Sequence, residues 1–187
     1  MATPLVRTPR AEGARRVAAA QPVLACIAFG GNLGDVLHGF RTARRALLAT
    51  PGIAPHAASA LYRTAPVGFL DQADFINAVL AVRTHLTPSD LLTLLLGLER
   101  QQGRTRGGER NGPRPLDLDL LLHGETTMET AALTLPHPRM AGRAFVLAPL
   151  CDVLGADYLL KGASLAQRLE QCAGQRVLRF ATPEDWS

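Results

Sequence analysis

Residues 115–122 read Pro-Leu-Asp-Leu-Asp-Leu-Leu-Leu, and few patterns restrict a fold more. The alternation is that of a strand, so Asp117 and Asp119 leave the same face with their Cα atoms roughly 6–7 Å apart. Aspartate is a poor strand former, and two carboxylates on one face repel unless a cation lies between them. A bare pair of this kind is ordinarily the solvated face of an amphipathic strand, but the preceding residues argue otherwise. Arg104, Arg106, Arg110 and Arg114 stand in a loop with Gly103, Gly107, Gly108 and Gly112, which permit unusual dihedrals. Arginines attract polyphosphate and carboxylates attract hard cations, so the segment offers both halves of a Mg²⁺-triphosphate site. Glu99, one helical turn before the loop, reads equally as a plain surface acid and as a residue that holds an arginine or a metal-bound water.

The rest of the chain supplies partners for this strand. Val23 to Phe29 is a short apolar run that ends in Gly30-Gly31-Asn32-Leu33-Gly34-Asp35, a strand meeting a turn. Asp35 caps a helix with Val36, Phe40, Ala43 and Leu47 on one face, which Pro51-Gly52 stops. Ile53 to Thr64 is expected to be extended, and Ala65 to Asp74 to be a loop. Ile76, Ala78, Leu80 and Val82 then alternate with their neighbours at strand period. Thr87-Pro88-Ser89-Asp90 opens a leucine-rich helix that ends near Gln102. The order βαββαβ is a split pair of βαβ units and predicts an α+β, ferredoxin-like sandwich with an antiparallel sheet. The last third is expected to add helices: one from Arg139 to about Leu154, bent at Pro149, and a short one capped by Ser164 and ending near Gly174.

Charge and cysteine usage exclude several function classes. The formal charge is +4, but residues 1–22 hold Arg7, Arg10, Arg15 and Arg16 against Glu12, leaving the remainder nearly neutral. That tail has no hydrophobic period and is expected to be disordered, with residues 23–187 forming one domain. A near-neutral domain argues against nucleic acid as a partner, and no apolar run approaches the roughly 18 residues of a membrane span. Cys26, Cys151 and Cys172 lack ligand spacing and read as core residues in a reducing compartment, the cytoplasm. Lys161 is the only lysine and is followed by Gly162, so no Walker A loop is present and any phosphate is held by arginine.

The segment from Arg110 to Leu121 resembles the signature of 6-hydroxymethyl-7,8-dihydropterin pyrophosphokinases. GGNLGD at 30–35, LYRTAPVG and DFINAVLAV within 61–82, and LPHPRMAGRAFVLAPL at 135–150 agree with that family in order and spacing. The resemblance covers roughly residues 23–155. It implies transfer of the β,γ-pyrophosphoryl group of ATP to a pterin hydroxymethyl oxygen, with release of AMP, in folate synthesis. It further implies two Mg²⁺ ions on Asp117 and Asp119. Arg104, Arg114 and Asp119 would have catalytic roles, and Glu99, Arg106, Arg110, His137 and Arg143 would stand on the ATP side. Thr64, Val67, Phe75, Asn77 and Phe145 would hold the pterin. Two phenylalanines suit a flat heteroaromatic and an amide suits its polar edge. Gly31 stands where a serine is common in the family. The implied partners are two small molecules, with no obligate protein partner.

Two rival readings carry less. A two-metal nucleotidyltransferase combines a Gly-Gly loop with a nearby carboxylate pair, whereas here more than 80 residues separate Gly31 from Asp117. An RNA-binding domain on the same scaffold calls for exposed aromatics on the central strands, where this chain has acids.

Overall fold

The computed structural model describes residues 21–66, 68–104 and 112–187. The tail expected to be disordered lies outside the described residues up to position 20, as do Val67, Arg106 and Arg110. The protein is mixed α/β, with an antiparallel sheet and four α-helices among the described residues. In chain order these are β1 (Val23–Gly31), α1 (Val36–Leu48), β2 (Ile53–Ala58), β3 (Leu61–Thr64), β4 (Phe75–Thr84), α2 (Pro88–Gln101) and β5 (Asp117–His123). They continue with β6 (Met128–Glu129), β7 (Thr134–Leu135), α3 (Ala144–Leu154), β8 (Leu159–Leu160), β9 (Ala163–Ser164), α4 (Leu165–Glu170) and β10 (Val177–Ala181). The six-stranded sheet runs β10-β3-β4-β1-β5, with β2 also paired to β4. β4 and β5 flank β1 antiparallel on its two sides.

The local signals act as the residue types require. Asp35 accepts a hydrogen bond from His38 N–H at the start of α1, and Thr87 accepts from Asp90 N–H at the start of α2, with Pro88 at the first helical position. Each satisfies an N–H that the helix leaves orphaned. The segment 53–64 is two strands rather than one. Both pair with β4, and the break at Ser59-Ala60 is closed by Ser59 N–H donating to the Val79 carbonyl at 2.9 Å and Val79 N–H donating to Ser59 Oγ at 2.8 Å.

The sheet is covered on both faces. Ala78, Leu80 and Val82 of β4 and Leu118 and Leu120 of β5 pack with α1 and α2. The alternate residues Val79, Ala81 and Leu121 pack with α3 and Leu165 of α4. A sheet with helices on both sides offers no open aromatic platform for bases, which removes the RNA-binding reading.

The C-terminal third departs from expectation in three ways. A 3₁₀ turn at Met140–Gly142 precedes α3, so the helix begins at Ala144 rather than Arg139. The helix α4 ends at Glu170, earlier than Gly174, although Ser164 and Gln167 form the capping box at its start. The additions are also not all helical: β10 extends the sheet beside β3, and a 3₁₀ turn at Pro183–Trp186 follows. Trp186 is fully buried between Phe29 and Phe40, with ring centroids 5.2 and 6.0 Å away, and its Nε1 donates to the Ser59 carbonyl at 2.9 Å. The last ordered turn thus plugs the core on the α1 side. Trp186→Ala is expected to cost about 3–5 kcal/mol of stability, from lost burial plus the cavity left behind. Urea unfolding measures it, and a loss under about 1 kcal/mol would contradict this packing.

Candidate active site

The site grows from one parity rule across three strands. Residues pointing to the α3 face become Val79 and Ala81 at the closed end of β4 but Phe75 and Asn77 at its open end. On β5 the same face carries Leu121 at the closed end and Asp117 and Asp119 at the open one. Between them β1 presents only Ala28 and Gly30. Gly30 is in register with Asn77 on one side and Asp117 on the other. A Cβ there would lie 3.5 Å from Asn77 Oδ1 and 3.7 Å from Asp117 Cβ, so the small residue leaves open floor between an amide and a carboxylate. A cavity of about 440 Å³ stands on this floor, within the range of small-molecule sites. Arg139, Arg143, Phe145 and Gln175 form its far wall.

One end of the cavity combines a fixed amide with two aromatic rings. The Asn77 amide nitrogen donates to Thr64 Oγ1 at 2.8 Å, and both residues are buried. This fixes the amide and directs its oxygen toward the space above Gly30. Phe75 and Phe145 line the same space. Arg114 lies over the Phe75 ring with its guanidinium carbon 5.0 Å from the centroid, and Arg143 lies over Phe145 at 5.4 Å, each an attraction of cation and ring face.

The other end is electrostatic. Arg104 bridges Glu99 and Asp117, and Arg114 pairs with Asp117 at 2.9 Å. Glu99 is only 3% exposed and also accepts Leu118 N–H at 2.7 Å. It therefore holds Arg104 and the start of β5 from below and does not line the cavity. Asp119 keeps 41% of its side chain exposed, with His137 Nε2 4.0 Å away. His137 Nδ1 accepts Arg139 N–H at 3.3 Å, so in a neutral ring the proton sits on Nε2, toward Asp119. Burial holds His137 below its ordinary value despite Asp119, with Arg143 and Arg139 adding to the shift. Burial and the Asp117 carboxylate push Asp119 upward, against the pull of His137, Arg143 and Arg139.

That upward shift has a consequence for stability. A carboxyl raised in the folded state binds its proton more tightly there than in the unfolded chain. Ionised Asp119 thus costs stability above its raised value, and the cost vanishes as pH falls into the ordinary carboxylate range. Asp119→Asn, a neutral replacement of the same shape, is expected to raise the melting temperature of the ligand-free protein near neutral pH. The gain should shrink toward about pH 4. Equal or lower melting temperatures at neutral pH would remove the argument.

Asn32 of the first glycine-rich turn ties the surrounding loops together. Its amide nitrogen donates to Gln72 Oε1 at 2.8 Å and to the Ala73 carbonyl at 2.9 Å, while its Oδ1 accepts Arg114 N–H at 3.0 Å. The Asn32 N–H donates in turn to the Arg114 carbonyl at 3.0 Å. Gly31 lies close to the same segment in this chain: a Cβ on it would stand 2.7 Å from the Pro115 carbonyl oxygen, so a serine here would require a small shift of that backbone.

Nearly every residue expected at the site among the described ones is brought to it: Thr64, Phe75, Asn77, Arg114, Asp117, Asp119, Arg143 and Phe145 line the cavity. Arg104, Glu99 and His137 stand directly behind. Arg139 and Gln175 were not expected there. Arg139 falls inside a recognised motif and could have been found, whereas Gln175 lies in a polar stretch with no pattern.

Carboxylates and arginines stand at one end of the pocket and an amide with two aromatic rings at the other, the make-up of an enzyme site of the transferase class. A model of the 7,8-dihydro-6-hydroxymethylpterin-pyrophosphokinase (HPPK) family matches residues 26–155. The chain is 46% identical over 130 residues to the mitochondrial folate synthesis bifunctional protein of Arabidopsis thaliana, a match covering 70% of this chain and 23% of that one. It is 43% identical over 130 residues to the 2-amino-4-hydroxy-6-hydroxymethyldihydropteridine pyrophosphokinase of Bacillus subtilis, covering 70% and 77%. The Pseudomonas aeruginosa protein of the same name is 40% identical over 154 residues, covering 82% and 94%. The fold is shared with wild-type Plasmodium falciparum HPPK-DHPS in its pteroate complex, at a TM-score of 0.62, 12% identity, and coverage of 80% of this chain and 44% of that one. The chain belongs to the 7,8-dihydro-6-hydroxymethylpterin-pyrophosphokinase family. It spans about a quarter of the length of the plant bifunctional proteins it matches.

Proposed function

We propose that this protein transfers the β,γ-pyrophosphoryl group of ATP to the hydroxymethyl oxygen of 6-hydroxymethyl-7,8-dihydropterin and releases AMP, a step of folate synthesis. The observation that carries the reading is the row Asn77, Gly30, Asp117 across three neighbouring strands. It sets a ring-reading amide and an acid cluster on one floor, so that a bound pterin's side group would point toward the phosphates.

Thr64, Phe75, Asn77 and Phe145 hold the pterin, joined in this reading by Val67. His137 and Arg143 stand on the ATP side, as do Arg106 and Arg110. Glu99 serves ATP through Arg104. Two arginines supply forked donors to equatorial phosphate oxygens, and the buried Nε of Arg114 has no partner among the described residues, a cost that an anionic ligand would relieve. The donor set fits Mg²⁺. Two same-face carboxylates, one pushed toward its neutral form by burial and then by the other, offer hard oxygens that would suit a hard dication together with substrate phosphates and water. Two bound Mg²⁺ ions on Asp117 and Asp119 would neutralise charge on the bridging phosphates. The reaction balances with the pterin oxygen attacking Pβ as the bond from Pβ to the α,β-bridging oxygen breaks, and the hydroxyl proton leaves to solvent.

In the same reading residues 23–187 are one ferredoxin-like domain, supported by the order β5-β1-β4-β2. It works in the cytoplasm with two small-molecule substrates and no obligate protein partner. No helix among the described residues is long and apolar enough to cross a membrane. The test is incubation with ATP, Mg²⁺ and the pterin, followed by nucleotide chromatography. AMP is the expected product; ADP, or no pterin-dependent turnover, would overturn the reading.

A further inference from the structure

Helix α3 begins at Ala144 without a capping side chain from its own N-terminal residue, Arg143. Its first N–H is satisfied from 31 residues away, because Ala144 N–H donates to Gln175 Oε1 at 2.9 Å. The other end of the same amide closes a second bond: Gln175 Nε2 donates to the Gly142 carbonyl at 2.9 Å. The two bonds bracket Arg143, whose backbone is extended at φ −124° and ψ 104° between a 3₁₀ turn and an α-helix. Both conformations on either side would otherwise compete for that residue, and its orphaned N–H and carbonyl neighbours would turn to water.

The amide is itself anchored. Gln175 N–H donates to the Cys172 carbonyl at 2.8 Å, and Cys172 is buried in the core beneath α3. The segment that carries it lies outside the span matched to the family, 26–155. The bracketed residues matter because Arg143 and Phe145 both face the cavity, which Gln175 also lines, with the Arg143 guanidinium over the Phe145 ring. We infer that Gln175 is a positioning residue: by clipping the backbone on both sides of Arg143 it aims Arg143 and Phe145 at the ligand in the cavity. As the ligand, this inference takes the pterin and ATP of the proposed function.

Gln175→Leu keeps the approximate shape and removes both bonds. Hydrogen exchange in the ligand-free protein reads the clip without any ligand. The Ala144 amide is expected to exchange at least about tenfold faster, the worth of about one to two net hydrogen bonds. Pterin affinity in the presence of a non-hydrolysable ATP analogue is expected to fall by a similar factor, with the melting temperature lowered by only a few degrees. Gln175→Glu keeps the acceptor for Ala144 N–H and loses the donor to Gly142, and should lie between the two. Unchanged exchange at Ala144 would overturn the clip. Faster exchange with wild-type pterin affinity would overturn its positioning role, as would a melting temperature lowered by many degrees in step with affinity, which would mean general loosening. If the unmodified protein bound no pterin, the assigned reaction would fail, while the exchange result would still decide the clip.

Discussion

Asp117→Ala or Asp119→Ala is expected to lower kcat by a factor on the order of 10³ or more and to change pterin affinity much less. Phosphoryl-type transfer requires in-line placement and neutralisation of oxygen charge more than a strong base, and these are the only two carboxylates that line the cavity among the described residues. The residues proposed to hold the pterin, Asn77 with Thr64 and the two phenylalanines, lie on β3, β4 and α3 rather than on β5, and only Phe75 is linked to Asp117, through Arg114. The two variants should differ in the ligand-free protein. Asp117 is the shared partner of Arg104 and Arg114, so its loss frees both arginines, whereas loss of Asp119 removes a repulsion. Steady-state kinetics at saturating Mg²⁺ and a pterin titration separate rate from binding. Near-normal turnover by either variant would sink the assignment.

The elements that carry this chemistry were legible because each has a local cause. β4 is a run of apolar strand formers, β5 opens on an alternation of Asp and Leu, α1 and α2 begin at capping side chains, and the carboxylate pair stands out as charge in an apolar strand. What the sequence hid has no local period. β10 is an edge strand whose residues Leu178 to Phe180 are all exposed, so no apolar face marks it, and a tail expected to add helices adds a strand instead. Trp186 follows a polar Thr-Pro-Glu-Asp turn, and only the three-dimensional pocket between Phe29 and Phe40 explains its burial. Glu99 read as easily as a surface acid, because burial of a carboxylate against Arg104 and the Leu118 N–H leaves no trace in spacing. Gln175 is hidden for the same reason, as its partners lie more than 30 residues away.

The double replacement Arg104→Ala with Arg114→Ala should act on kcat to an extent comparable with loss of a carboxylate, on the order of 10³. In the ligand-free protein both guanidinium groups are engaged with Asp117. Their contacts to a phosphate therefore replace existing ion pairs, and the net gain in ground-state binding is small. Their value lies where charge on the transferring group is greatest, so kcat should fall much more than the KM for ATP rises. Pterin affinity is not wholly spared, because Arg114 lies over the Phe75 ring. Loss of that contact is worth about 0.5–2 kcal/mol, or roughly 2- to 30-fold. Arg104→Lys is the informative control: it keeps the charge but lacks the planar set of donors that a guanidinium offers to phosphate oxygens, and should recover only part of the rate. Single-turnover measurements with ATP and pterin both saturating isolate the chemical step. A double variant that turns over at the wild-type rate would remove these arginines from the chemistry, and one whose pterin affinity falls as far as its rate would make them binding residues instead.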